Sequence, residues 1–461
     1  MGGPRHERGH ADPCGAHAAP KSERAAPRRR PADAGGHRSH PGQDQREGAR
    51  EPLRGREEGA GEVVGRRVST ADAPVSHKQQ RPSWARRALG GILWALAAPL
   101  LLAIWTGLAA AYIDPRTLWW PQLFAVAVPY VALGVVVALA IALAVGRKGL
   151  ALALAVPLVA LGVRAEPWSR LGEAPADGAS LALTTFNVPQ WLSDEAMQDS
   201  MAAFLQREAP DLVAMQDAWI RGPRRNRQRD AWQAPQLRGV DAVGYSVEVP
   251  LLLPGVGGWK RDATGVPLLV REGVRVEEQE AITISDPRDN KASQAIRSVV
   301  VFEGRRFVLY DVHLRSFGQA KPWADPNFAL LRPSTWGPSL SRLAGVYRDR
   351  AIDVDRIVEA IERETLPVVI AGDFNSTADN WSYRELRQSG GVHRRDAFRE
   401  AGDSAWGRTY HASTLLVRID HVLVDPTLAV VSAEVRDVGF SDHRPVLTRL
   451  QWREEEANSA Q

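Results

Sequence analysis

The sequence predicts an α/β domain built on a mixed sheet and carried behind an apolar N-terminal segment. Three observations predict it. Beyond residue 167, short β-rich runs alternate with helical patterns. Ahead of that lie two charge-free stretches, 88–113 and 118–145. Ahead of those, residues 1–85 hold almost no large apolar side chain.

Residues 1–85 are rich in Arg, Gly, Pro, Ala, His and Glu. Such a segment cannot bury enough surface to offset its ordering entropy, so a disordered basic tail is expected there. Its functional alternative is a basic arm for nucleic acid or anionic lipid. A translation start between residues 63 and 75 is a third reading. A short disordered tail is also expected over 453–461. The net charge is +4, with much of the excess in the N-terminal tail. The basic balance therefore does not mark the folded part as a nucleic-acid surface. The one cysteine, Cys14, excludes an intramolecular disulfide and a thiolate metal site. Metal chemistry must use oxygen and imidazole ligands.

Both charge-free stretches exceed the roughly 20 apolar residues that cross a bilayer core. Pro99 and Pro129 are compatible with spanning helices. A third run, 149–163, would cover only about 22 Å as a helix. It reads as a third span or as an interfacial helix. The membrane anchor is thus expected over 86–165, with two to three transmembrane helices in a lipid bilayer. Lys78, Arg81, Arg86 and Arg87 precede the first span, and Arg147 and Lys148 follow the second. The loop between holds only Asp114 and Arg116, beside Trp119 and Trp120. The positive-inside rule puts the N-terminus and the Arg147–Lys148 turn in the cytoplasm. Three spans place everything after Arg164 outside it; two would leave it inside.

The remaining chain reads as strands and helices in turn. SLALTTFNV is a strand, EAMQDSMAAFLQRE an amphipathic helix and DLVAMQDAW a strand. SVVVFEGRRFVLYDVHL is a hairpin turning at Glu303–Gly304, and 347–364 a long helix. VVIAGDFN, RIDHVLVD and HRPVLTRLQW are further strands. Residues 315–340 form an insertion with Phe317, Trp323, Phe328 and Trp336 among prolines. It reads as a surface loop with an aromatic cluster or as a face toward substrate or membrane.

Several strands stop at a residue able to bind metal or phosphate. These are Asn187, Asp217, His313, Asp373 with Asn375, Asp420, and Asp442 with His443. Strand ends at one edge of a sheet converge on one crevice, where α/β folds place ligands. In VVIAGDFNST an extended chain would point Asp373 and Asn375 to one face and Phe374 to the other. Gly372 would admit a close backbone neighbour. A carboxylate beside an amide suits a metal–phosphate site. Each element alone is commonly a turn former or cap; the ordered set carries the weight.

That set resembles the endonuclease/exonuclease/phosphatase superfamily. The matching phrases are TTFNV, DLVAMQDAW, YDVHL, VVIAGDFNST, RIDHVLV and GFSDHRPVL, covering about residues 180–450. The connecting text WSYREL, RRDAFREAG and GRTYHASTLLVRIDHV is similar to a bacterial branch with N-terminal membrane spans. The resemblance implies a four-layer α/β-β/α sandwich, two mixed sheets flanked by helices, as a catalytic domain over 175–452. It implies a Mg²⁺- or Mn²⁺-dependent phosphoric ester hydrolase of the nuclease, phosphatase or phosphodiesterase type. His443 would be the general base and Asp420 its orienting acid. His313 and Asn375 would hydrogen-bond phosphoryl oxygens, and Asp373 would position water or a second metal. Asp217, Asn187 and Asp442 would form the metal side. Asp217 stands one methylene short of the family's usual glutamate, which leaves weak metal binding open.

Arg297 is a weaker substrate-binding candidate, with an exposed hairpin arginine as its plain alternative. The substrate would be a nucleic acid or a lipid head group, the location a bacterial inner membrane, and no obligate protein partner is expected. The competing expectation is a non-catalytic, membrane-tethered binding module on a degenerate hydrolase fold.

Overall fold

A computed structural model describes residues 84–166, 178–188, 195–218, 220–221, 237, 239–249, 263–282, 284, 293–321, 325–403, 407–411 and 417–453. The expected tails (Trp84, Ala85 and Arg453 apart), the alternative start, Cys14, Lys78, Arg81 and Trp323 lie outside these residues.

The first charge-free stretch forms α1 (Trp84–Ala110) and the second forms α2 (Pro121–Ala144). Both are long and apolar enough to cross a membrane. Pro121 opens α2, where a missing N–H costs nothing. The third run forms α3 (Lys148–Arg164). At one end of the bundle Arg147 hydrogen-bonds the Arg86 carbonyl. At the other, Arg164 donates to the Leu108 carbonyl at 2.8 Å. α3 therefore runs the length of α1 in the same direction. Ile104, Val128, Val135 and Leu154 fill the seam between the helices.

The rest is a layered α/β fold. In chain order come β1 (Leu181–Asn187), α4 (Glu195–Glu208), β2 (Leu212–Gln216), β3 (Ile220–Arg221), β4 (Tyr245–Glu248), β5 (Ala263–Thr264) and β6 (Leu268–Arg271). Then follow β7 (Arg275–Ile282), β8 (Gln294–Phe302), β9 (Arg305–His313), α5 (Trp336–Ile361) and β10 (Val368–Asp373). The last elements are α6 (Trp381–Gln388), β11 (Arg395–Asp396), α7 (Ala397–Ala401), β12 (Asp420–Val424), β13 (Leu428–Val435) and β14 (Val446–Trp452). One six-stranded sheet runs β13-β14-β1-β2-β6-β4 and the other β11-β12-β10-β9-β8-β7. β3 and β5 pair separately. β1 is parallel to β2 and β9 to β10, while their other neighbours are antiparallel, so both sheets are mixed.

Period-two burial explains the layers. Leu181, Leu183, Leu212, Ala214, Phe307, Leu309, Val369, Ala371, Val422 and Val424 form the core between the sheets. The alternate residues Val308, Tyr310, Val368 and Ile370 face out and pack with Val354, Ile357 and Ile361 of α5. On the far side, Phe186, Val213 and Met215 meet Met201, Phe204 and Leu205 of α4.

The hairpin turns at Glu303–Gly304 as expected, with both residues at positive φ (51° and 73°). α5 begins well before residue 347. Pro338 falls in its first turn, where proline is tolerated, so a stretch that reads as loop is helical. Gly372 has φ 148°, and a Cβ there would lie 1.9 Å from the Val312 carbonyl oxygen. The close neighbour is therefore the paired strand β9.

The bundle end is joined to the sandwich by buried polar contacts. Gln122 is buried and caps α1 by donating to the Ala110 and Ile113 carbonyls at 2.8 and 3.0 Å. Its Oε1 accepts from Asn380 Nδ2 and the Trp381 N–H, each at 3.1 Å. Arg164 pairs with Asp379 at 3.1 Å, and Arg387 with Glu166 at 2.6 Å. Replacing Gln122 with Leu leaves the buried Asn380 amide and Trp381 N–H without this acceptor. The expected cost is about 1–3 kcal/mol. It is read as a lower urea midpoint for the full chain in detergent, with Gln122→Glu retaining part of the stability.

Candidate active site

Each inter-sheet strand face is apolar along its length and polar at one end. On β1 the face runs Leu181, Leu183, Thr185, Asn187; on β2 it runs Leu212, Ala214, Gln216. On β9 it runs Phe307, Leu309, Asp311, His313, and on β10 Val369, Ala371, Asp373. β12 is antiparallel to β10, so its first residue, Asp420, lies opposite Asp373. β9 is parallel to β10, so His313 is level with Asp373. The strand registers thus bring four distant segments to one edge.

Asp373 is the hub. Its Oδ2 accepts from Asn187 Nδ2 at 2.9 Å, a hydrogen bond that crosses from one sheet to the other. Its Oδ1 accepts from the Asn375 N–H at 2.8 Å. Asn375 arrives by a route that extended geometry does not foresee. β10 ends at Asp373, and Asn375 takes a left-handed conformation with φ 45°. Its Nδ2 then donates to Asp373 Oδ2 at 3.1 Å and to the Leu314 carbonyl at 2.9 Å. Both amide hydrogens are thereby engaged within the protein. Phe374 packs on the opposite side, against Tyr383 and His421.

His443 Nδ1 lies 3.1 and 3.0 Å from the two Asp420 carboxylate oxygens. Its Nε2 faces Asp373 Oδ2 at 3.9 Å. Burial alone would lower the His443 pKa, but the Asp420 and Asp373 carboxylates outweigh it and hold it up at about 9. Burial, with the Asp420 charge, raises the Asp373 carboxyl to about 6 against the pull of His443 and His313. His313 Nε2 is 3.7 Å from Asp373 and its Nδ1 3.7 Å from Asp217. Both distances exceed hydrogen-bond length, so the ring stands between the two carboxylates without bonding either. Asp217 follows the last residue of β2 at φ 57°, which turns its carboxylate to His313. Asp442 is partly buried, and its charge adds to the forces that raise the His443 pKa.

Arg297 is not brought to this cluster. It faces Tyr310 across the hairpin, on the helix-covered side of the sheet. Glu364 holds it at 2.6 Å and also accepts from the Tyr310 hydroxyl at 2.7 Å. Its place is a structural ion pair.

Residues absent from the sequence-derived set complete the site. Below it, Thr185 Oγ1 donates to Gln216 Oε1 at 3.3 Å, and Gln216 Nε2 donates to Asp311 Oδ1 at 2.7 Å. Burial pushes the Asp311 carboxyl well above its ordinary range, and this layer joins the sheets. Its signal was present, since Asp311 precedes His313 by two on one face. The Tyr410 ring packs on His443 with centroids 4.8 Å apart, and Lys321 Nζ donates to the Tyr410 hydroxyl at 3.1 Å. Ser441 Oγ donates to the Asn187 carbonyl at 2.8 Å and accepts from the His443 N–H at 3.0 Å. The fully buried Arg350 donates to the carbonyls of Asn375 and Arg315 at 2.7 and 2.6 Å. It fastens the turns after β10 and β9 together.

Among the described residues, Asp373, Asp420 and His443 offer ligand atoms within 4.8 Å of one another. Two of these, His443 and Asp420, are also hydrogen-bonded to each other. Asp217, Asp442 and the Asn187 amide oxygen are further hard oxygen donors, the type that Mg²⁺ and Mn²⁺ prefer.

A family model described as the Endonuclease/Exonuclease/phosphatase family matches residues 185–443. The chain belongs to that family. That family is divalent-metal-dependent, and this chain carries the buried Asp373–Asp420–His443 group. No curated protein matches the chain. Among solved structures, it is similar to an endonuclease/exonuclease/phosphatase from Bacteroides vulgatus at 17% identity and TM-score 0.41, over 60% of this chain and 100% of that one. It is similar to another from Beutenbergia cavernae at 18% identity and TM-score 0.41, over 60% and 72%. The human Nocturnin catalytic domain with bound sulfate follows at 16% and TM-score 0.40, over 59% and 94%.

The His443 shift has a consequence for stability. Its folded pKa of about 9 lies above the ordinary 6.5. The stabilisation is complete below pH 6.5, declines as pH rises and is lost above about pH 9. In EDTA, the thermal midpoint of the protein should fall across that window. His443→Gln should flatten the profile.

Proposed function

We propose that the chain is a membrane-anchored, divalent-metal-dependent phosphoesterase with His443 as general base. The observation that carries this reading is the His443–Asp420 pair, with the free edge of the imidazole turned to the cleft that Asp373, His313 and Asp217 line.

The chemistry follows from the groups. A phosphoester is anionic and repels hydroxide. Asp217, Asn187 and Asp442 would hold the cation, with Asp217 short by a methylene but turned inward by its left-handed backbone. When bound, Mg²⁺ or Mn²⁺ would neutralise phosphoryl charge and favour the neutral form of His443. His443 Nε2 takes a proton from the attacking water. Asp420 keeps Nδ1 protonated and stabilises the imidazolium that forms. His313 donates to a phosphoryl oxygen as charge builds. Asp373 receives Asn187 and Asn375 on its two oxygens and orients the water through its position beside Nε2.

The anchor reading rests on α1, α2 and α3. Arg86 and Arg87 lie at one end with Arg147 and Lys148, while the other end holds Asp114 and Arg116, which pair with each other. α3 covers about 25 Å, close to the core thickness of a bilayer once Arg164 reaches to the interface. Three crossings with the basic end inside put the sandwich on the non-cytoplasmic face.

Purified full-length protein should hydrolyse bis-p-nitrophenyl phosphate with Mg²⁺ and stop in EDTA. His443→Ala should lower kcat by about 10²–10⁴-fold, and Asp420→Asn by a similar factor. Retention of full activity in His443→Ala contradicts the assignment, and inactivity on any phosphoester supports the binding-module alternative. A C-terminal alkaline phosphatase fusion should be active and a green fluorescent protein fusion dark. The reverse pattern would place the sandwich in the cytoplasm.

A further inference from the structure

We propose that residues 325–336 form a membrane-dipping lip beside the active site, and that the substrate is a phosphoester carried by a phospholipid. This rests on the membrane-anchored phosphoesterase reading and adds the substrate class to it.

Leu331 is 93% exposed and Leu330 71%. Among the described residues after α3, the other exposed large apolar side chains are Ile352 at 42% and Val431 at 36%. One exposed leucine is ordinary, but two adjacent ones held out into solvent are not. The loop that carries them is braced. Trp336 Nε1 donates to the Ala329 carbonyl at 3.1 Å, and Thr335 Oγ1 donates to the Arg332 carbonyl at 2.8 Å. Ser339 Oγ donates to Asp325 at 2.9 Å. The tip cannot readily fold its leucines back onto the protein.

The register of α5 along the bundle end says what covers them. Asp355 touches Arg116. About two turns earlier, Tyr347 stacks on Trp119 with centroids 6.4 Å apart. Earlier still, Leu343 and Leu340 share an apolar cluster with Leu123, in the first turn of α2. Moving toward the N-terminus of α5 therefore passes from the loop before α2 into the first turn of α2. Leu330 and Leu331 precede that end of α5 in the chain. In the anchor reading this is the side on which the lipid interface lies.

The residues that follow His313 also reach the chemistry. Lys321 among them holds the Tyr410 hydroxyl while Tyr410 packs on His443. A cation and the ring it holds thus stand beside the catalytic imidazole, which suits a phosphate lifted from a bilayer surface. A nucleic-acid track would need a row of unpaired cations. Arg342, beside the lip, is instead committed to Asp325.

The test uses the full chain, with Cys14→Ser, in phosphatidylcholine–phosphatidylglycerol vesicles. A bimane label on Leu331→Cys should be quenched by lipids spin-labelled high on the acyl chain. A label on Val136→Cys, exposed on the flank of α2, should be quenched by lipids labelled deep. Quenching at Val136→Cys but none at Leu331→Cys overturns the lip alone. No quenching at Val136→Cys removes the anchor and the lip with it. In the activity arm, the double change Leu330→Ser and Leu331→Ser should lower hydrolysis of vesicle phospholipid about tenfold or more, with bis-p-nitrophenyl phosphate hydrolysis unchanged. Equal loss on both substrates, or loss on neither, overturns the proposal. Cleavage of plasmid DNA with no vesicle phospholipid hydrolysed overturns the substrate class. Inactivity on bis-p-nitrophenyl phosphate would mark the failure of the phosphoesterase reading itself.

Discussion

The site depends on one buried carboxylate. Asp373 lies between two sheets and receives hydrogen bonds from Asn187 at the end of β1 and from Asn375 in the turn after β10. Asp420 lies directly opposite it in the antiparallel register. Like charges at such a position destabilise a sheet, and removal from water worsens the conflict. The conflict is relieved by a cation between them, the His443 imidazolium, and by raising the Asp373 carboxyl toward neutrality. The same arrangement stores a basic imidazole next to a cleft. Structure and proposed chemistry therefore share their electrostatic origin.

Around this hub the fold supplies position rather than reactivity. Parallel pairing levels His313 with Asp373, and antiparallel pairing sets Asp420 opposite. Gly372 lets β9 and β10 approach where any side chain would meet the Val312 carbonyl. The Thr185–Gln216–Asp311 layer separates the hydrophobic core from the charged edge with buried hydrogen bonds. The turn after Asn375 continues through Thr377, Asp379 and Asn380, which contact Gln122, the Ala125 carbonyl and Arg164. The ends of the apolar helices are thus packed against the turn that follows Asp373 and Asn375.

Much of this was legible in the amino-acid order. Alternation in LALTTFN, FVLYDVH and VVIAGD marks one face of each strand, and the last polar residue on that face is a site residue. Legibility failed where the backbone leaves that alternation. Asp217 and Asn375 depend on left-handed turns that propensity does not announce. Arg297 looked like a cation near a site strand, but strand parity sends it to the helix-covered face and Glu364. The first turns of α5 were hidden by Gly337 and Pro338, which read as loop until their position at a helix start is known. Lys321 and Tyr410 come together only through tertiary packing, and no spacing in the sequence links them.

The central claim is that Asp217 holds the cation while Asp420 serves His443. Manganese binding to the full-length protein, followed by electron paramagnetic resonance, separates the two carboxylates. Asp217→Ala should abolish tight binding, and Asp420→Asn should leave it within a few-fold of the unmodified chain. Binding that survives Asp217→Ala but disappears in Asp420→Asn would contradict the account and assign the metal to the Asp373–Asp420–His443 group instead.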